Sequence, residues 1–469
     1  MTNPILNTDS YKHSHFLQYP PGTEKVYSYI ESRGGMDDRF ILFGLQAYIK
    51  KCLMQVPTVD EINQAGAIVR AHGLPFNEKG WYDLNRLGYW PLEIKALPEG
   101  TLVPSHVPCV TVENTDERFA WLTSFIETGL LRAVWYPSTV ATISWSAIQI
   151  IKKYLNETCC APDWETTILP FRLHDFGARG VSSDQSAALG GLAHLVNSMG
   201  SDTMVALIAA IEFYNAKGVV AYSIPAMEHS TVTAWGQEDE AGAYSNMVDK
   251  FSGVENGLYA AVSDSYDIIN AVNKIWGDAL RLRVIEGKAI LVVRPDSGVP
   301  EKVVVMVLNL LGDKFGFTIN AKGYKVLHPR VRVIQGDGIN LWSIPVILEA
   351  VKQSGWSTEN IAMGMGGQLL QGCNRDTLKW AMKTSWVQVN GVGRDVFKNP
   401  VTDPGKASKK GRFAVVREDG TLKCYPEAGH EKDNLLCMVY RNSKLYVDHN
   451  FDDVRARARG EIVDMRKAA

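Results

Sequence analysis

Residues 289–298, AILVVRPDSG, constrain the fold of this chain more than any other stretch. Five apolar residues, three of them β-branched, run without alternation, which suits a parallel strand covered on both faces. The run ends in Arg294 and Asp296 on a turn set by Pro295 and Gly298, so charge sits at the strand's carboxyl end. The same grammar recurs twice. A helix over residues 300–311, with Pro in its first turn and Gly312 as its stop, leads to a strand at 331–334 that ends in Gln335-Gly336-Asp337-Gly338. A second helix at 341–354 closes at Gly355. A third strand at 360–363 opens into Gly364-Met365-Gly366-Gly367 and a helix that runs on through Arg375. This βαβαβα order is that of a parallel sheet with crossover helices, and such sheets carry their sites at the strand carboxyl ends.

The loops there have anion-binding chemistry. Glycine at 366 and 367 lets backbone N–H groups approach an anion, and the following helix start adds the positive end of its dipole. The run fits neither a P-loop nor the dinucleotide GxGxxG fingerprint, and each glycine taken singly also reads as a plain tight turn. Three adjacent loops bearing Arg-x-Asp, Gly-Asp-Gly and Gly-x-Gly-Gly together point to a phosphosugar.

Upstream, LHDFGARGVSS from Leu173 packs His174, Asp175, Phe176 and Arg179 around two glycines. The competing reading is a loop held by its own hydrogen bonds. Asp202 has two readings, N-cap of the helix that starts at 204 or ligand. Residues 221–236 give a strand and turn that expose Glu228 and His229 before another helix. Histidine suits proton or phosphoryl transfer near neutral pH, and an adjacent carboxylate raises its basicity. VSDSYD at 262–267 adds carboxylates on a further turn. About seven or eight strand-loop units result, the number expected of a (β/α) barrel.

A chain of 469 residues exceeds one ordinary core, and two domains are expected. Residues 166–384 form the barrel-like catalytic domain. Residues 1–165 and 385–469 form a discontinuous mixed α+β sheet domain. It holds a strand at 25–33 with Arg33 at its end, a helix at 40–53, helices at 116–133 and 139–156, a strand at 386–396, a hairpin at 413–425 turned at Asp419-Gly420, and a strand at 436–447. A net charge of -2 argues against a nucleic-acid partner. Seven cysteines without a CxxC pair fit a reducing compartment. The start of the chain lacks a basic-then-apolar leader, and nowhere do about 18 apolar residues stand together, so a cytoplasmic protein without a membrane partner is expected. The histidines show no metal-ligand spacing, which argues against a metal-dependent barrel hydrolase. The basic run Lys398, Lys406, Lys409, Lys410 and Arg412 reads as a solvated face or as a reach towards a neighbouring subunit's anion.

NTDSYK from Asn7, QYPP from Gln18, LHDFGARGVSS, EHSTVTAWG from Glu228, RPDSG from Arg294, VIQGDG from Val333 and SKKGR from Ser408 span nearly the whole chain in order. Together they resemble the nicotinamide phosphoribosyltransferase family of type II phosphoribosyltransferases. The resemblance implies an irregular (β/α) barrel beside a mixed-sheet domain. It also implies a homodimer with shared active sites, and transfer from 5-phosphoribosyl 1-diphosphate to nicotinamide with Mg²⁺ in NAD salvage. ATP would be the co-substrate and His229 the phosphate acceptor, with Glu228 as its orienter. Phe176 would stack on one face of the pyridine ring and the partner's Tyr11 on the other, while Asp202 would accept from the carboxamide. Arg179 and Arg294 would face phosphates and Asp296 the ribose hydroxyls. Gly336, Asp337, Gly366 and Gly367 would bind the phosphoribosyl part, and Arg33, Arg375, Lys383 and Lys398 would add positive charge. The loop at 34–39 is shorter than in animal members, Ala178 replaces an aromatic, and Met365 and Gln368 alter the glycine loop. Two rivals stand beside this reading: a nicotinate phosphoribosyltransferase, against which Asp202 discriminates, and a non-catalytic binder of phosphosugars or nucleotides.

Overall fold

A computed structural model describes residues 3–403 and 406–461. The chain divides into two compact units, one of residues 1–142, 209–217 and 373–469, the other of residues 143–208 and 218–372.

The second unit is the expected irregular barrel. Its parallel sheet runs in the order Gly200–Ser201, Leu173–Asp175, Ile361–Met365, Val331–Gln335, Ile290–Arg294, Leu258–Val262. Bridges from Tyr222 to Gly200 and from Ala226 to Ala260 join the two outer strands, so residues 222–226 close the ring as a seventh, irregular member. The inner layer is Ala260, Val292, Ile334 and Ala362, all small or medium-sized, and Phe176 and Ile224 pack on it. A narrow ring leaves no room for larger inward side chains.

Several boundaries differ from those the sequence predicts. Helix Pro300–Phe315 runs through Gly312 instead of stopping there. A Cβ at Gly312 would lie 2.7 Å from the Trp356 ring, so this glycine serves packing. The third strand extends to Met365, which puts Gly364 inside the sheet. The helix after it, Gly367–Leu370, is a single turn and does not reach Arg375. A hairpin of Phe317–Ile319 with Lys325–Leu327 fills the connection before Val331.

The first unit is built on a seven-stranded antiparallel sheet in the order Val392–Asp395, Ala381–Val389, Thr23–Glu31, Val110–Asn114, Leu92–Ala96, Cys437–Arg441, Lys444–Leu445. Remote segments meet here: Ile94 pairs with Tyr440, and Tyr29 with Lys383, a residue that the sequence reading assigns to the barrel domain but that lies in strand Ala381–Val389 of this sheet. Trp81, Trp90, Trp121 and Phe125 fill its core. Hairpin Phe413–Glu418 with Thr421–Pro426 turns at Asp419 and Gly420. Arg412 holds the base of that hairpin between the rings of Tyr27 and Trp386, and bonds both oxygens of Glu113 at 2.8 and 2.9 Å.

The helix predicted for 116–133 is divided into the turn Glu117–Phe119, the short helix Leu122–Phe125 and a last part that runs on without a break into the helix predicted for 139–156. Glu127–Thr158 is continuous and contains Pro137, which as a rule breaks a helix because it removes a donor and crowds the preceding turn. Here the segment at Phe43 and Gly44 supports that turn. Ser138 Oγ donates to the Phe43 carbonyl and accepts from its N–H, each at 3.0 Å. A Cβ at Gly44 would sit 2.5 Å from the Ala133 carbonyl, and φ there is 101°, so glycine allows the approach. That turn also replaces the first half of the helix predicted for 40–53: strand Arg39–Ile41 precedes it and helix Leu45–Tyr48 follows. Among the described residues no helix is long and apolar enough to cross a membrane.

Candidate active site

The carboxyl ends of the barrel strands bring most of the predicted site residues together. Strand Ile290–Arg294 ends on Arg294, whose Nη2 donates to Asp296 Oδ2 at 3.1 Å while its buried Nε has no partner. The Asp296 N–H and the Ser297 hydroxyl both donate to Asp264 Oδ2, at 2.8 and 2.5 Å. Asp264 lies in the turn after strand Leu258–Val262, and its side chain is only 4 % exposed. One carboxylate thus ties two neighbouring loops together.

His229 is the first residue of the short helix His229–Thr233 and leans over that junction. Its Nε2 lies 3.5 Å from Asp296 Oδ2 and 3.9 Å from Asp264 Oδ1. Its Nδ1 lies 2.9 Å from Ser265 Oγ. Glu228, expected to orient the ring, instead accepts from the Ser230 hydroxyl. The backbone explains this: Glu228 is the extended residue before the helix, so its side chain leaves in a different direction from that of His229.

Phe176 follows strand Leu173–Asp175, and its N–H bonds the Met365 carbonyl at 3.0 Å. Its ring lies over two glycines. A Cβ at Gly364 would fall 1.9 Å from the ring, and one at Gly336 would lie 3.6 Å from it and 3.2 Å from Asp296 Oδ1. Gly336 therefore separates the aromatic face from the acidic cluster by the width of one missing side chain. Asp175 beside it is buried and holds the loop, accepting from the Gly177 N–H at 2.7 Å and the Ser201 hydroxyl at 3.3 Å. Burial raises its pKa against those bonds. His174 is pushed down to about 4 by burial, with Asp202 opposing, so the imidazole beside Phe176 is neutral at physiological pH.

Asp202 is exposed and its carboxylate accepts from the Ser223 hydroxyl. Helix Met204–Tyr214 begins two residues later, with Thr203 between, so Asp202 is not its N-cap. On the other side of Phe176, Gly180 and Gly367 meet backbone to backbone: a Cβ at Gly180 would lie 3.1 Å from Gly367 Cα. Arg179 next to this contact is exposed and forms no ion pair among the described residues. Asp337 is exposed, and its carbonyl accepts from Gln335 Nε2 at 3.0 Å.

The remaining predicted residues belong to the first unit. Tyr11, on the helical turn Ser10–Leu17, is 56 % exposed. Arg33 is paired to the buried Glu31 at 3.0 Å, and its Nη2 is buried without a partner. Burial pushes the Lys383 ammonium below its usual range; the nearby positive charges of Arg33, Lys398 and Arg375 act in the same direction, and Glu127 opposes them. Four of the predicted cations thus share one electrostatic neighbourhood. Sequence reasoning left Ser223 and Ser265 unassigned, and Asp264 was only one of several turn carboxylates. A serine in a turn carries no signal of its own, and it is the fold that sets each hydroxyl against Asp202 or His229. Among the described residues no three His, Cys, Asp or Glu side chains gather as a metal site.

The chain matches the Nicotinate phosphoribosyltransferase (NAPRTase) family over residues 171–444. Residues 3–94 match the N-terminal domain of nicotinamide phosphoribosyltransferase. It is 48 % identical over 467 residues to a nicotinamide phosphoribosyltransferase of Xanthomonas campestris pv. campestris, covering 98 % of each chain. The chain belongs to the nicotinamide phosphoribosyltransferase family. A relative of that name from Acinetobacter baylyi is 34 % identical and matches over 97 % of both chains. The fold of the family member described above is similar to that of nicotinate-nucleotide pyrophosphorylase from Pyrococcus furiosus, with a TM-score of 0.62 at 15 % identity over 98 % of this chain and 95 % of that one.

Proposed function

We propose that this protein transfers the phosphoribosyl group of 5-phosphoribosyl 1-diphosphate to nicotinamide, forming nicotinamide mononucleotide and diphosphate in NAD salvage in the cytoplasm. The observation that carries the reading is the whole-length identity to proteins named for that reaction, joined to a barrel mouth with an aromatic platform, an exposed carboxylate and an Arg–Asp–His cluster. In this reading Phe176 supports one face of the base and the partner's Tyr11 the other. Asp202 accepts from the carboxamide N–H. A carboxylate at that point repels nicotinate, so recognition and rejection share one group.

Departure of diphosphate from C1 leaves a cationic sugar, so the site must neutralise the leaving group and hold the base in line. Arg179 and Arg294 supply charge from the barrel, and Arg33, Arg375, Lys383 and Lys398 supply it from the first unit of a homodimer. Asp296 takes the ribose hydroxyls, while Gly336, Asp337, Gly366 and Gly367 leave backbone N–H groups open to the phosphoribosyl part. Mg²⁺ arrives with the diphosphate of the substrate and screens its charge. ATP is the co-substrate, and His229 takes its phosphoryl group, adding negative charge next to the diphosphate site.

The test is mononucleotide formation with nicotinamide and nicotinate side by side, for the parent and Asp202→Asn. A nicotinamide preference of about a hundredfold in kcat/KM that falls by about tenfold or more in the variant is expected, on the scale of one charged hydrogen bond. A parent that prefers nicotinate overturns the choice of substrate. Absence of diphosphate release with either base, with or without ATP, overturns the reaction.

A further inference from the structure

The two ring nitrogens of His229 face opposite chemistry. Around Nε2 stand two carboxylate oxygens, Asp296 Oδ2 at 3.5 Å and Asp264 Oδ1 at 3.9 Å. The Asp264 oxygen is buried and accepts no hydrogen bond. A lone pair facing two anionic oxygens is repelled and an N–H is attracted, so Nε2 carries the ring proton. Nδ1 then holds the lone pair, and the Ser265 hydroxyl at 2.9 Å is the donor that meets it.

The same turn sets both sides. Ser265 directly follows Asp264, and the other oxygen of Asp264 is fixed by the Asp296 N–H and the Ser297 hydroxyl. Ring rotation is therefore restrained from Nδ1 by a hydroxyl whose backbone is anchored next door. Exchanging the two nitrogens would set a lone pair against the carboxylates.

The geometry points to Ser265 as a positioning residue that fixes the tautomer and rotation of His229, so that Nδ1 is the nitrogen that takes the phosphoryl group. This rests on the phosphohistidine reading given above. In the step, the Nδ1 lone pair attacks the γ-phosphorus of ATP, the bond from that phosphorus to the bridging oxygen breaks, and ADP leaves with the bonding electrons. The ring keeps its Nε2 proton, and Asp264 and Asp296 balance its positive charge. The Ser265 hydroxyl, released from Nδ1, turns to donate to a phosphoryl oxygen.

The experiment uses the full-length protein with ATP and Mg²⁺, quenched in alkali because phosphohistidine is acid-labile. Phosphorus NMR then distinguishes phosphate on Nδ1 from phosphate on Nε2. The parent is expected to carry it on Nδ1. Ser265→Ala should form phosphoenzyme about tenfold more slowly, with part of the phosphate moved to Nε2, and Ser265→Thr, which keeps the hydroxyl, should restore both rate and position. Phosphate on Nε2 of the parent overturns the tautomer. Unchanged rate and position in Ser265→Ala overturn the role of the hydroxyl while leaving the phosphohistidine intact. A parent that forms no phosphoenzyme, whereas His229→Ala and the parent behave alike, overturns the phosphohistidine and this assignment with it.

Discussion

Gly364 decides where Phe176 can lie. It occupies an inward position of strand Ile361–Met365, and the space of its missing side chain is filled by the Phe176 ring. Gly364→Ala would force a methyl into that ring, and overpacking of this kind destabilises by about 1–3 kcal/mol. The expected result is a lower melting temperature together with a KM for nicotinamide raised about tenfold, and kcat reduced by less. Thermal unfolding and initial rates at saturating phosphoribosyl diphosphate check both parts. The sequence shows Gly364 as one member of a glycine-rich run, which is why it reads as loop. Only the register of Met365 beside Asp175 places it inside the sheet, under the aromatic ring. Phe176, Arg294, Asp296 and His229 were legible because charge or an aromatic group next to a strand end has few structural uses. Ser265 and Ser223 were not.

Elements separate by how local their causes are. Barrel strands 290–294, 331–335 and 361–365 are predominantly apolar, interrupted only by Arg332 before their last residues, and their order follows from the crossover helices between them. The continuous helix through Pro137 is not predictable from its own residues, because its support comes from Phe43 and Gly44. Helix Phe451–Ala458 gives a case with a pH signature. Arg457 donates to the Glu99 carbonyl at 2.7 Å and, through a second nitrogen, to His449 Nδ1 at 3.0 Å. Burial first, and then the charge of Arg457, push His449 down to about 3. The unfolded chain takes up a proton on this residue as pH falls below about 6.5, while the folded chain does not until far lower, so stability present at neutral pH is lost on acidification. By pH 5 the loss is about 2 kcal/mol. Denaturant melts between pH 7.5 and pH 5 should show this slope, and His449→Gln should flatten it.

For the whole molecule, the largest non-local facts are pairings that no window of sequence contains. Thr23–Glu31 lies between Ala381–Val389 and Val110–Asn114, so one sheet gathers strands from both ends of the chain. Periodicity marks such segments as strands and leaves their neighbours open. Helix Met204–Tyr214 raises the question of assembly. Met204, Ile208 and Ile211 are 73, 62 and 57 % exposed, an apolar edge that a lone chain leaves in water. In our reading a second copy covers it. Ile208→Glu should shift the protein from dimer to monomer in sedimentation velocity and abolish mononucleotide formation, with the far-ultraviolet spectrum unchanged. A dimer of undiminished strength in that variant would place the contact elsewhere.

The barrel ring is held by ladders at every junction but two, those on either side of residues 222–226, which attach by single bridges to Gly200 and Ala260. Fewer backbone bonds mean a lower local cost of opening, so this stave is the ring's slack point. Ser223, which grips Asp202, lies on it, and His229 follows three residues beyond its end. The carboxylate proposed to recognise the base and the imidazole facing Asp264 and Asp296 are therefore both tied to one length of backbone, the first by a side-chain hydrogen bond and the second by chain connection. A shift of this segment would reach His229 along the chain and Asp202 through the Ser223 hydroxyl.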